Sequence, residues 1–238
     1  MKLTGYAWYL FRPPFPSLAL VSTIAWLFLM AGAPDHMTHS AATMHATIHA
    51  DYQMAQESSR ALLNGSQMLS WLVMVVAMMF PLLNASIRQI WERSLPRRRS
   101  VGISAFLVGY LLVWSIAGIL ITWLSLQLLQ THIAWLSAGS VLLVTLIWQA
   151  SPWKQAALNR CHFVHRIAPF GWQYFLACIH YGTRKGFWCV SSCWVLMMLP
   201  MVFGPAGLAL MLFASVWMFF EQLAQPRPPR WRMPFARS

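Results

Sequence analysis

Long apolar runs separated by polar stretches dominate the pattern of this chain. Six runs are mostly apolar, and each approaches the roughly 20 residues that a helix needs to cross a bilayer. They cover residues 17–33, 68–87, 101–126, 133–150, 187–203 and 206–223. Each run is too long and too continuous for a membrane β-strand, which alternates over about 10 residues. Because backbone polar groups in lipid must pair within the span, the pattern predicts an all-α fold: a single polytopic membrane domain with six transmembrane helices.

The segments between these runs show which side of the membrane each would face. Residues 34–67 connect the first two runs, residues 151–186 connect the fourth and fifth, and residues 224–238 form a basic, Pro-rich tail. Of the 17 Lys and Arg residues, all but Arg60 fall in segments that this topology places on one side. By the positive-inside rule, both termini, the Arg-rich connection at residues 88–100 and residues 151–186 are cytoplasmic, and residues 34–67 are external. We therefore expect a multi-pass membrane protein with both termini in the cytoplasm.

Composition narrows the class of protein further. Hydrophobic residues make up 58% of the chain and charged residues only 9%, which is too few to cover the surface of a water-soluble domain of this size. A formal net charge of +12 would suggest nucleic acid binding in a soluble protein. In a membrane protein the same excess favours anionic lipid headgroups, so we expect the lipid bilayer as a partner and no nucleic acid.

The predicted external segment, residues 34–67, concentrates possible metal ligands. Its His and Met residues include His36, Met37, His39, Met44, His45 and His49. Imidazole suits Cu(II) and thioether sulfur suits Cu(I), whereas a zinc site is expected to use His and carboxylate without Met. Residues 41–60 are rich in helix formers, so His45 and His49 would lie one helical turn apart and share an ion. The alternative is a polar loop whose histidines are incidental or respond to pH.

A stripe of sulfur-containing residues marks the fifth apolar run. The stripe recurs every four residues at Cys189, Cys193, Met197 and Met201, which places it on one helix face. Two thiolates with thioethers favour Cu(I) over harder ions. In the second run Met74 and Met78 share a face, and Pro81 predicts a kink. The alternative is that these Cys and Met residues are apolar core residues only.

Residues 151–186 carry a weaker candidate. The set Cys161, His165, Cys178 and His180 superficially suggests zinc. The spacing fits no closed zinc finger well, so zinc is the less favoured metal. Lys154 and Arg160 in the same segment suit contacts with lipid phosphates.

Patterns typical of catalysis are missing from the sequence. There is no Walker loop, no dinucleotide-binding glycine pattern and no nucleophile elbow. No apolar run carries an acidic or basic residue near its middle, and Glu221 lies near the end of the sixth run. Without such a catalytic motif we do not expect an enzyme. We also do not expect a proton-coupled pump, because such pumps usually need ionisable groups inside the membrane.

Four ordered segments carry a family resemblance. They are residues 74–81 with Ala77-Met78-Met79, residues 109–114, residues 149–154 followed by Arg160-Cys161, and residues 186–197. Together they resemble a bacterial family of predicted metal-binding integral membrane proteins, a domain of unknown function, over residues 71–223. The resemblance implies a multi-pass protein of a bacterial inner membrane. It also implies a metal role for the second run, for the stretch from Lys154 to Cys161 and for the fifth run. Ala157 and Ser192 stand where this family often has cysteine.

Two functions from different classes follow from these observations. The leading hypothesis is a membrane protein that binds, transports or delivers a soft metal, with copper favoured, and that serves uptake or a copper enzyme. Residues 34–67 would capture the ion, the Met residues would line a path, and Cys189 and Cys193, with Cys161, would form a cytoplasmic-side site. The alternative is a non-catalytic accessory subunit of a larger respiratory, oxygenase or pigment-containing membrane complex, because 14 Trp and 14 Phe offer much aromatic surface to partners.

Overall fold

The structure is a computed structural model that describes part of the chain. The backbone is described for residues 15–42, 65–129, 134–161, 171–202 and 207–223, with Pro228 and Trp231. Side chains are described within residues 16–31, 68–124, 139–161, 171–199 and 207–222, and at 228 and 231. All regular structure in these ranges is helical, which confirms the predicted all-α fold.

The helices follow the apolar runs, but the first helix continues past the predicted end at Ala33 to Ala42, and two further departures change the other expected boundaries. They are α1 (Phe15–Ala42), α2 (Gly65–Met79), α3 (Asn84–Arg93), α4 (Arg99–Leu129), α5 (Ala134–Ala150), α6 (Pro152–Cys161), α7 (Gly171–Val202) and α8 (Gly207–Leu223). The second run does not stay one α-helix, because Pro81 lies in a 3₁₀ turn, Phe80–Leu83, between α2 and α3. Proline has no N–H to donate, so the helical ladder is interrupted where the sequence predicts a kink. The second departure is that α7 begins at Gly171, so the latter part of segment 151–186 is helical.

Helix α7 lies at the centre of the described fold. It packs against α4, α5, α6 and α8, most extensively against α4. The α4 and α7 backbones approach closely at two glycines: a Cβ on Gly182 would lie 2.1 Å from the Phe106 carbonyl oxygen, and a Cβ on Gly109 would lie 2.5 Å from the Ile179 carbonyl oxygen. Small residues that allow such an approach are typical of helix pairs in membranes.

Helix α2 is held between α1 and α4 by side chain to backbone hydrogen bonds. Ser22 of α1 donates its hydroxyl to the Ala77 carbonyl oxygen at 2.5 Å. Trp71 of α2 donates its indole N–H to the Trp114 carbonyl oxygen of α4 at 2.9 Å. Both bonds are buried, so they fix the position of α2 relative to its neighbours.

Two basic segments that were both predicted to be cytoplasmic lie together. The Tyr174 hydroxyl of α7 lies 2.6 Å from the Ser94 hydroxyl and donates to the Arg98 carbonyl oxygen at 3.3 Å. About two helical turns later, Tyr181 donates its hydroxyl to Gln89 at 3.1 Å. These contacts join the Arg-rich stretch 88–99 to the first half of α7.

Length and hydropathy identify two helical segments that could cross a bilayer within the described residues, Met68–Arg93 and Pro96–Leu124. Pro16–Ala31, Gly139–Ala150 and Gly207–Gln222 are apolar but shorter over the part that is described. A buried core helix of a water-soluble protein can meet the same criteria, so the six-span count and the inside positions of the termini stay predictions. The predicted tail, residues 224–238, lies outside the described residues apart from Pro228 and Trp231.

Candidate metal site

Two thiols on α7 form the centre of the candidate site. Cys189 and Cys193 are one turn apart, 3% and 2% exposed, and both are free thiols. The Cys193 thiol donates to the Cys189 carbonyl oxygen at 3.0 Å, which orients it back along the helix toward Cys189. Ser192 donates its hydroxyl to the same carbonyl at 2.7 Å. The predicted pair is therefore buried, and its i,i+4 spacing places both thiols on the same face of the helix.

Residues from α2 and α4 complete the surroundings of Cys189. The Met79 thioether sulfur lies 3.8 Å from the Cys189 sulfur, and the Tyr110 hydroxyl donates to that same sulfur at 3.3 Å. Met79 and Tyr110 are both fully buried, so water has no direct access to this contact. Three helices thus place a thioether and a phenol against the Cys189 sulfur, with the Cys193 thiol one turn further along α7.

Sequence reasoning did not select Met79 or Tyr110 as site residues. It selected Met74 and Met78, because those two share a helix face. In the structure Met74 and Met78 are buried, but it is the neighbouring Met79 that reaches Cys189. The signal available in the sequence was that both residues fall within the four segments of the family resemblance, at positions 74–81 and 109–114.

Cys161 at the end of α6 is the third thiol of this region. It is 3% exposed, and Lys185 of α7 donates from its ammonium group to the Cys161 carbonyl oxygen at 2.5 Å. Burial raises the pKa of the Cys161 thiol to about 12; the nearby Cys189 adds to the rise and the Lys185 charge opposes it. The Cys161 thiol is therefore protonated at neutral pH in the metal-free protein.

An ion pair between a buried lysine and a partly exposed glutamate lies at the start of α6. The Lys154 ammonium pairs with the Glu221 carboxylate of α8 and also donates to Gln149. Trp217 donates its indole N–H to the same Glu221 oxygen at 2.9 Å. Burial lowers the pKa of Lys154, and the attraction of Glu221 opposes that shift. Lys154, which the sequence suggested as a lipid contact, is instead 4% exposed and joins α5, α6 and α8.

The remaining predicted ligands are either buried in the described core or lie outside the described side chains. Met197 is fully buried on α7, and Met78 lines an apolar cavity of about 270 Å³ with Trp26 and Phe219. His36, Met37 and His39 belong to the backbone of α1, as Met201 does to α7, but their side chains lie outside the described residues. Met44, His45 and His49 lie wholly outside them.

The zinc alternative finds no support among the described side chains. In that part of the chain no three His, Cys, Asp or Glu residues group closely enough to hold a metal ion. Cys178 packs with Ala105 and Tyr174 in a small apolar cluster separate from the main core, which contains Cys161. His165 lies outside the described residues. A site with three or more ligands among the described side chains would therefore need thioether sulfur in addition to thiols.

Comparison with known proteins identifies the family. Residues 68–235 match the sequence profile of PpoB2, which is described as a copper chaperone, and this match covers more than half of the chain. The chain belongs to the PpoB2 copper chaperone family. The match extends from Met68 in α2 through α8, so it contains Met79, Cys161 and the α7 thiols. No curated protein and no solved structure matches the chain.

Membership in the PpoB2 family confirms the predicted relation to a metal and indicates copper. The described residues fit this ion, because free thiols beside a thioether are the soft ligands that Cu(I) prefers. Residues 34–67 lie outside the PpoB2 match. Ala157 and Ser192, which stand where the resembled family often has cysteine, are both buried. The Ser192 hydroxyl donates to the Cys189 carbonyl oxygen.

Proposed function

We propose that this protein is an integral membrane copper chaperone that holds Cu(I) at Cys189, Cys193 and Met79 and passes it to a copper enzyme. The observation that carries the proposal is the buried contact of 3.8 Å between the Cys189 and Met79 sulfurs, beside a second free thiol one turn away. Copper is the cargo in this account. The protein itself performs no catalysis on another substrate.

The chemistry of this ligand set suits an ion that must be both held and released. Two thiolates bind Cu(I) strongly, while a neutral thioether is a weaker ligand that can be exchanged for a ligand of an acceptor. Each thiol gives up a proton when it becomes a metal ligand. The Tyr110 hydroxyl, 3.3 Å from the Cys189 sulfur, can donate a hydrogen bond to the resulting thiolate and stabilise its charge.

Exposed apolar side chains support the proposed membrane location. On α4, Val108, Leu112 and Ile116 follow one face and are each more than half exposed. On α5, Leu143 and Ile147 do the same. A water-soluble protein rarely exposes apolar surface of this extent, whereas lipid covers it without cost. We propose that the six predicted spans lie in a bacterial inner membrane with both termini in the cytoplasm.

The contacts between basic segments support the same orientation. Residues 88–99 meet the first half of α7 through Tyr174 and Tyr181, and Lys185 in turn meets Cys161. The two connections that the charge distribution places in the cytoplasm are therefore neighbours. In this orientation the thiols lie near the cytoplasmic end of the predicted fifth span, residues 187–203, and residues 34–67 would capture copper on the opposite side.

The role of Met79 can be tested with a matched pair of substitutions. We expect Met79→Leu to lower the affinity for Cu(I) by about 10-fold or more, because leucine keeps the apolar volume but removes the thioether. Met78→Leu is the control, because Met78 is equally buried but lines the cavity on another side. The measurement is competition with a chromophoric Cu(I) chelator under anaerobic conditions. Equal affinities of the two variants would remove Met79 from the proposed ligand set.

A further inference from the structure

Lys185 is a buried cation, and neither carboxylate of the described structure pairs with it. Its residue is 7% exposed, and its ammonium group donates to the neutral Cys161 carbonyl oxygen. Two acidic side chains are described, Glu92 and Glu221, and each already pairs with another residue, Arg88 and Lys154 respectively. Burying a charge without an opposite charge is costly, so this position needs an anion that forms nearby.

The α7 thiols can supply that anion when they bind metal. Lys185 precedes Cys189 by one helical turn on the same face. Binding of Cu(I) to two thiols releases both protons, so one positive and two negative charges leave a complex with one net negative charge. With Lys185 beside it, the buried site becomes neutral. A Zn(II) ion on the same two thiolates would already be neutral, and the Lys185 charge would stay uncompensated.

We propose that Lys185 makes the thiol site selective for a monovalent soft cation over a divalent one, by compensating the charge of a bis-thiolate Cu(I) complex. This inference rests on the proposed copper site at Cys189 and Cys193. It assigns Lys185 a role in positioning charge and not in binding the metal, since an ammonium group has no lone pair to offer.

Lys154 does not share this role, although it is also buried near the site. Its charge is balanced by Glu221, so the pair adds no net charge to the interior. This difference provides a control: the double variant Lys154→Met/Glu221→Gln removes this charge pair and leaves the net charge unchanged. We expect that double variant to keep the ratio of Cu(I) to Zn(II) affinities of the unmodified protein.

The test compares two substitutions of Lys185 in the full-length protein in detergent. Lys185→Gln keeps an N–H donor for the Cys161 carbonyl but removes the charge, whereas Lys185→Arg keeps both. Affinities for Cu(I) and for Zn(II) are each measured by competition with a chelator. We expect Lys185→Gln to lower the Cu(I) affinity by about 10- to 100-fold without lowering the Zn(II) affinity, and Lys185→Arg to restore the ratio.

The outcomes separate this inference from the function on which it rests. If Lys185→Gln weakens both ions equally, or changes neither, while the unmodified protein binds Cu(I), then the charge role is wrong and the copper site stands. If Lys185→Arg behaves like Lys185→Gln, the shape of the lysine matters and not its charge, which also overturns the inference. An unmodified protein that binds no Cu(I) would defeat the proposed function itself.

Discussion

The Cys189→Ser/Cys193→Ser variant is expected to lose bound Cu(I). A serine hydroxyl has nearly the shape of a cysteine thiol, but its oxygen is a hard ligand that does not ionise near neutral pH, so the variant keeps the packing and loses both thiolates. Met79 alone cannot hold the ion. The measurement is the ratio of copper to protein after anaerobic loading and removal of free metal, with an expected loss of about one ion per chain relative to the unmodified protein.

A buried thiol elsewhere in the fold provides the control for this result. Cys178 is fully buried but packs in the separate cluster with Ala105 and Tyr174. Cys178→Ser therefore places a hydroxyl in an equally apolar environment without touching the candidate site. An unchanged copper content in the double variant, or an equal loss in Cys178→Ser, would contradict the assignment of the α7 thiols as ligands.

The Gly182→Ala variant is expected to show the largest loss of stability from a single methyl group. The added Cβ would lie 2.1 Å from the Phe106 carbonyl oxygen, and a backbone atom cannot turn aside as a flexible side chain can. Helices α4 and α7 must therefore separate, at an expected cost of about 2–3 kcal/mol. Since Tyr110 lies on α4 and Cys189 on α7, the separation should also weaken Cu(I) binding.

Gly139→Ala is the matched substitution for this comparison. A Cβ at Gly139 of α5 would meet no atom within 4 Å, so alanine there should change stability by less than about 1 kcal/mol, in the stabilising direction. The measurement is the midpoint of thermal unfolding of both variants in the same detergent. Similar midpoints for the two variants would show that α4 and α7 do not pack as closely as the structure has them.

The sequence predicts the helical class and the sulfur stripe for clear physical reasons. Long apolar runs lead to helices, and a four-residue spacing places Cys189, Cys193 and Met197 on one face whatever surrounds that helix. All three are buried in the structure. The spacing of Cys189 and Cys193 therefore carried information about the site before any packing was known.

Other parts of the candidate site depend on packing between helices, which spacing along one helix does not reveal. Met78 and Met79 are neighbours of the same residue type, and only the rotation of α2, set by the Trp71 and Ser22 hydrogen bonds, determines that Met79 faces Cys189. From the sequence, Lys185 is one of several basic residues in a predicted cytoplasmic segment. In the structure α7 begins at Gly171, and Lys185 is a buried residue of that helix. The His and Met residues of segment 34–67 stay a prediction, because their side chains lie outside the described residues.

The set of atoms that bind copper is the central claim, and X-ray absorption of the Cu(I)-loaded protein tests it most directly. Residues 34–67 would supply imidazole nitrogen, whereas Cys189, Cys193 and Met79 would supply sulfur alone. We predict that the first coordination shell of the bound Cu(I) consists of two or three sulfur atoms. A shell dominated by imidazole nitrogen would contradict it and would move the site to the histidine-rich segment.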